Sequence, residues 1–183
     1  MAKLASKVYG DALFELASEE NRVDAYWQEA QEFLKKVLPD ADFGQLMNHP
    51  KIVKEEKLKI IETVMKDRFS AEMTGFVRLV TEKGHFAELR DILVWFDERV
   101  KDYKKIGVVS VETPFELKAE QKKAIEERIL STSACRSLEM HYTVDASLMG
   151  GMRIRMKDRV IDSTLKTKLE NLTRELMKVQ LDG

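Results

Sequence analysis

Apolar residues recur at helical spacing through the first hundred positions and then change to strict alternation. Leu4, Ala5, Val8, Tyr9, Ala12, Leu13, Leu16 and Ala17 predict a first helix over about residues 4–18. Its apolar surface covers about half of the circumference, and Phe14 lies off the stripe, which is wide for a helix buried on one side. A second helix is expected near Asp24, a competent N-cap after Val23, running through Trp27, Ala30, Leu34 and Val37 to stop before Pro39. Phe43 to Met47 predicts a short helix closed by Asn-His-Pro. Lys54 to Phe69 predicts a fourth through Leu58, Ile61 and Met65, and Ser70 caps a fifth carrying Met73, Phe76, Val77, Leu79 and Val80. After the break at Glu-Lys-Gly-His, Phe86, Leu89, Ile92, Leu93, Phe96, Val100 and Tyr103 define a sixth helix, expected to be the longest. Six helical segments with short connections predict an antiparallel bundle.

At "KDYKKIGVVSVETP" the period changes to two, with Val109 and Val111 on one face, and a domain boundary is expected there. A helix over about Ala119 to Leu130 follows. Leu138, Met140, Tyr142 and Val144 alternate with Glu139, His141 and Thr143, and Met152, Ile154 and Met156 alternate with Arg153 and Arg155, so two strands flank the chain's only glycine pair, Gly150 and Gly151. A last helix is expected from Thr164 to about Lys178, through Leu165, Leu169, Leu172 and Leu176, with Asp162 and Ser163 as competent caps. Strand, crossover helix and returning strand predict a small α/β unit with a right-handed connection. The fold class is therefore mainly α: an N-terminal six-helix antiparallel bundle over residues 1–105 and a small α/β C-terminal domain over 106–183.

Composition narrows the function more than it identifies it. In 183 residues, charged side chains make up 34% and the formal net charge is −1, which offers no cationic excess for a nucleic-acid backbone. No apolar run approaches the ~20 residues that span a bilayer, and the acidic start does not resemble a signal or transit peptide, so a soluble cytosolic chain is expected. A single cysteine, Cys135, excludes an intrachain disulfide and a thiolate metal cluster.

Candidate chemistry is sparse. The glycine pair is followed by Met152 and Arg153 where a phosphate loop needs Lys and then Ser or Thr, so it is expected to turn the chain and to hold no phosphate or nucleotide. His49, His85 and His141 have no second His or Cys at ligand spacing. No serine sits in a G-x-S-x-G elbow. The acid pairs Glu19–Glu20, Glu55–Glu56 and Glu126–Glu127 lie among lysines and suit solvated helix faces. Nine methionines suit core gaps or an adaptable binding surface. No catalytic constellation emerges, no cofactor or metal is expected, and a binding or structural protein is favoured over a small enzyme. On the residues alone, a free-standing adaptor with an apolar groove for amphipathic helices stays open.

Three stretches carry a resemblance: "YGDALFELA" (9–17), "LVTEKGHFAELRDILVWF" (79–96) and "VDASLMGGMRIRMKDRVIDSTLKTKLENL" (144–172). Together they are similar to the delta subunit of F-type ATP synthases, called the oligomycin sensitivity conferral protein in mitochondria, nearly end to end. The third weighs most, through Val-Asp, Leu148-x-Gly-Gly, Ile154, and Val160, Asp162, Ser163 and Leu165. The resemblance implies a non-catalytic stator subunit. Its helical domain would grip N-terminal segments of the alpha subunits and its C-terminal domain would hold the b subunits of the peripheral stalk, with the beta subunits a further candidate contact. With the start of the chain unlike a transit peptide, a place on the cytoplasmic face of a bacterial membrane is expected, reached through the complex without insertion. By the same resemblance an alpha segment packs as a helix against the first and fifth helices, at Tyr9, Ala12 and Leu13 on one and Phe76, Leu79 and Val80 on the other.

Three positions depart from expectation. The family commonly has Ala where Gly10 stands, and a Gly inside a helix costs ~1 kcal/mol against Ala, so the groove is expected to be looser or more closely approached. It often has Gly where Lys157 stands, which affects the type of that turn. Lys118, ahead of Ala-Glu-Gln, is a poor cap for the crossover helix.

Overall fold

The computed structural model describes residues 2–49, 51–148 and 150–163. The expected last helix lies outside these residues. Among them the chain is mainly helical, with seven α-helices and one four-stranded sheet. It divides into two compact units, Met1–Tyr103 and Lys104–Gly183.

The helical unit runs α1 (Ala2–Glu19), α2 (Val23–Glu32), α3 (Ala41–Asn48), α4 (Lys54–Met65), α5 (Ala71–Glu82) and α6 (Leu89–Lys104). At 18 residues α1, rather than the sixth helix at 16, is the longest. The sixth is shortened because Gly84, at φ +81°, is followed by a 3-10 turn over Phe86–Glu88 before regular helix begins. Similarly, α4 stops at Met65 and not at Phe69, since Asp67 takes φ +61°, a left-handed value that breaks the helical repeat.

Two helices, α3 and α5, start at polar residues that accept a free N–H. Asp40 accepts from the Asp42 and Phe43 amides to start α3. The Ser70 hydroxyl accepts from the Met73 amide at 3.2 Å and donates to Glu29 Oε2 at 2.8 Å, which ties the start of α5 to α2. Asp24 does not cap α2. That helix starts one residue earlier with Arg22 in the cap position, and Asp24 places its charge in the first turn, where it suits the helix dipole. The end of α2 widens into a π-helical segment over Phe33–Val37, closed by the Leu38 amide donating to the Phe33 carbonyl at 3.0 Å.

One core gathers side chains from all of these helices, among them Leu13, Tyr26, Phe33, Met47, Ile61, Val77 and Phe96. Polar ties pin its edges. Asp97 of α6 accepts from Trp27 Nε1 at 2.6 Å and Gln31 Nε2 at 3.2 Å and pairs with Lys101 at 2.8 Å. Burial works to raise its carboxyl, but these donors outweigh burial and hold it below the usual carboxylate range. The buried Tyr26 hydroxyl donates to Glu20 at 2.7 Å, and burial first, then this anion, pushes the phenol above its ordinary range.

In the sheet unit, β1 (Ile106–Thr113) leads through α7 (Ala119–Thr132) to β2 (Ser137–Val144), which pairs with β1 in parallel. Strands β3 (Arg153–Met156) and β4 (Arg159–Asp162) complete the order β2-β1-β3-β4. Register places Val109 beside Met140 and Met156, and Val111 beside Tyr142 and Ile154. Ile125 and Ile129 of α7 pack against this apolar face. The poorly capped start of α7 is relieved in part by Gln121, whose Oε1 accepts the Lys118 amide at 2.9 Å.

Strand β4 is absent from the sequence reading. Its four residues are too few for alternation to register, and Asp162, one of the two competent caps for the expected last helix, is the last residue of this strand. The turn into it uses Lys157 at φ +51°, a left-handed position that favours glycine. Gly150 and Gly151, at φ +104° and +81°, turn the chain ahead of β3. Both values are ones that L side chains rarely adopt.

Candidate functional site

A helix turns about 100° per residue, so α1 can be resolved into flanks. Leu13 and Ala17 point into the core. On one side of them, Gly10, Asp11 and Phe14 meet α6. Trp95 Nε1 donates to Asp11 Oδ1 at 3.0 Å, Arg99 Nε binds the same oxygen at 2.9 Å, and the Arg99 guanidinium lies 5.4 Å from the Phe14 ring centre. On the other side stand Ala5, Val8, Tyr9, Ala12 and Leu16, beside Leu4. Val8 is 56% exposed, and Leu4, Ala12 and Leu16 are exposed as well.

This open flank leads toward α5. The Tyr9 ring lies 5.6 Å from His85, in the turn that ends α5, and Arg22, between α1 and α2, reaches Glu72 of α5 at 3.3 Å. Helix α4 holds the far side of α5 through Arg78–Glu62 at 2.6 Å and Lys54–Glu82 at 4.0 Å. Phe76 and Leu79 fall on the flank away from α4, with Leu79 44% exposed. One helix thus carries a row of large apolar side chains and the other an exposed leucine, with Tyr9–His85 and Arg22–Glu72 linking the two segments and polar contacts holding each helix from outside the row.

The six residues singled out from sequence divide on this geometry. Ala12 and Leu79 are exposed and Tyr9 is half-buried. Leu13 and Val80 are fully buried in the core, and Phe76 is 8% exposed beneath Leu79's flank. Sequence reasoning named Leu4, Val8 and Leu16 only as members of a broad stripe. The signal that could have separated them is the breadth itself, because a stripe wider than the core can cover must leave one edge open.

The sheet unit offers a second surface. The face opposite Val109 and Val111 carries Glu112, Arg153 and Asp162 in cross-strand register. Arg153 bonds Glu112 at 3.0 Å and Asp162 at 3.4 Å, the first of these contributing most to holding its guanidinium protonated. His141 Nε2 lies 3.1 Å from Glu139. In the loop that leads to the glycine pair, Asp145 accepts from the Ser147 hydroxyl at 2.6 Å and its amide at 2.9 Å, and these bonds hold its carboxyl below the ordinary range. His49, by contrast, accepts the Lys51 amide in an exposed loop far in sequence from these groups. Among the described residues, no three His, Cys, Asp or Glu side chains gather as metal ligands.

Comparison with known proteins gives a consistent result. The family model for the ATP synthase delta (OSCP) subunit matches residues 5–176. The chain is 40% identical to the ATP synthase subunit delta of Lachnoclostridium phytofermentans, over 99% of this chain and 100% of that protein. It is 31% identical to the ATP synthase subunit delta of Alkaliphilus oremlandii, over 98% and 99% of the two chains. Among solved structures, a chain of the Toxoplasma gondii mitochondrial ATP synthase hexamer shares the fold, with TM-score 0.69 at 17% identity, over 94% of this chain and 97% of that one.

Proposed function

The chain belongs to the ATP synthase delta (OSCP) subunit family, and on that premise we propose that it links the catalytic head of the synthase to its peripheral stalk. It is a non-catalytic stator subunit of the F-type ATP synthase: it holds the head still so that rotor torque is spent on ATP synthesis. In this reading residues 1–105 form a six-helix antiparallel bundle that binds the N-terminal segments of the alpha subunits. Residues 106–183 form the domain that receives the b subunits, and the beta subunits lie within reach of the same assembly. No described helix is long and apolar enough to cross a membrane. In this reading the chain meets the cytoplasmic face of the membrane through the complex.

The observation that carries the reading is the open apolar flank of α1, together with the exposed Leu79 of α5. Exposed large apolar side chains aligned along a helix suit an amphipathic helix laid into the groove, whose own apolar positions recur at i, i+3, i+4 and i+7. Tyr9, Ala12 and Leu79 supply the contact surface, extended by Val8 and Leu16. Leu13, Phe76 and Val80 form the packed floor that holds those residues in place.

A link under torque must hold firmly. Titration of the full chain with a synthetic peptide of the alpha-subunit N-terminal segment is expected to give submicromolar affinity, at least ~8 kcal/mol. Leu79→Asp should weaken it by tenfold or more, on the order of the ~1.4 kcal/mol or more lost when an apolar contact is replaced by a charge. Affinity confined to millimolar peptide would contradict the proposal.

A further inference from the structure

The open flank of α1 has a counterpart on its other side, where α1 stands against α6 with no room to spare. A Cβ added at Gly10 would lie 2.6 Å from Trp95 Cδ1, 3.2 Å from Trp95 Cβ and 3.0 Å from the Ile92 carbonyl oxygen. The first distance is far inside carbon–carbon contact, so a methyl group there must push something away. The indole is poorly placed to yield, because its Nε1 donates to Asp11 Oδ1 at 3.0 Å while Arg99 binds the same oxygen at 2.9 Å. The carbonyl belongs to the backbone of α6 and cannot yield without the helix. Gly75, also inside a helix, shows the contrast: nothing lies within 4 Å of a Cβ added there. A glycine inside a helix costs ~1 kcal/mol against alanine, and at position 10 what that cost obtains is a close approach of two helices.

We infer that Gly10, with the Asp11–Trp95–Arg99 clamp, is a positioning element: it sets how close α1 stands to α6, and so how far the binding face between α1 and α5 opens. The inference rests on the reading that this face receives the alpha segment. Added volume between α1 and α6 moves α1 off α6, and the flank carrying Tyr9, Ala12 and Leu16 is the one that advances into the space reserved for the partner helix. Gly10→Ala therefore strengthens the helical tendency of α1 and at the same time weakens partner binding. Local helix stability alone would predict the first effect without the second.

The test is calorimetric titration of the full chain with the alpha-subunit N-terminal peptide, with circular dichroism as the check of folding. Gly10→Ala is expected to weaken binding by about tenfold, the effect of an overpacked contact of ordinary size. Adding Trp95→Leu to Gly10→Ala returns the space and is expected to bring affinity back to within about threefold of the wild type. Asp11→Ala removes the shared acceptor without adding an atom, and is expected to weaken binding about threefold even if Gly10→Ala does not fold. Wild-type affinity in Gly10→Ala, a double variant no tighter than Gly10→Ala, or wild-type affinity in Asp11→Ala would each overturn the inference while leaving the proposed function standing. Failure of the wild-type chain itself to bind the peptide would overturn both.

Discussion

Every helix from α1 to α6 sends buried side chains into one cluster, from Leu13 and Ala17 to Phe96 and Val100. The sheet unit, among the described residues, buries Val109, Val111 and Leu117 and leaves Ile125, Ile129, Met140, Ile154 and Met156 only partly covered. The described part of the sheet unit draws more of its order from strand ladders and from charges such as Arg153 between Glu112 and Asp162. Burial of apolar area is the dominant favourable term in folding, and surface ion pairs are worth little by comparison. The helical unit should therefore be the harder of the two to disturb by changes at its surface and the easier to damage by changes in its core.

Removing Phe33 gives the largest expected effect. Its ring is fully buried and meets Phe43 and Phe69 edge-on, at centroid distances of 6.4 and 5.7 Å. Phe33→Ala is expected to cost about 3–5 kcal/mol, against about 2 kcal/mol for Val111→Ala in the sheet. Both tryptophans, Trp27 and Trp95, lie in the helical unit, so urea denaturation followed by fluorescence reads the first change, and amide exchange along β1 reads the second. Equal costs would show that the contrast in packing has no energetic counterpart.

A smaller effect sharpens the comparison within the helical unit, where one half-buried carboxylate is held by three donors. The Asp97 carboxyl is depressed in the folded chain, so its contribution is present above the unfolded value of about 3.9 and is lost as pH falls through the lower folded value. Asp97→Asn is expected to cost about 1–2 kcal/mol at neutral pH. The gap between wild type and variant should narrow as pH falls from the unfolded value through the lower folded one, because the wild-type carboxyl then takes up its proton too. A gap that stayed constant over that range would remove Asp97 from the account of acid stability.

The start of α5 and the change of period were legible because they are local. Ser70 caps α5 as its hydroxyl and position suggest, and alternation around Val109 and Val111 gives β1 its register face. What could not be read depends on neighbours distant in sequence. Leu13 and Ala12 are adjacent and both apolar, yet one is in the core and the other faces outward, since only the placement of α5 and α6 decides which edge of a broad stripe stays open. Gly10 reads as a weak point in a helix until Trp95, 85 residues on, is seen to fill the space. Strand β4 has no signature of its own and exists because β3 offers it an edge across the turn at Lys157 and Asp158. The π-helical segment at Phe33–Val37 likewise has no local signal in a stretch that suits an ordinary helix.

The most direct test of the stator account is capture from detergent-solubilised membranes with the full chain as bait, followed by mass spectrometry. The account predicts recovery of the alpha, beta and b subunits of the synthase together, with the alpha subunit reduced when the bait carries Leu79→Asp. Recovery of unrelated soluble proteins with no synthase subunit would contradict it, and would point instead to a free-standing adaptor built on the same fold.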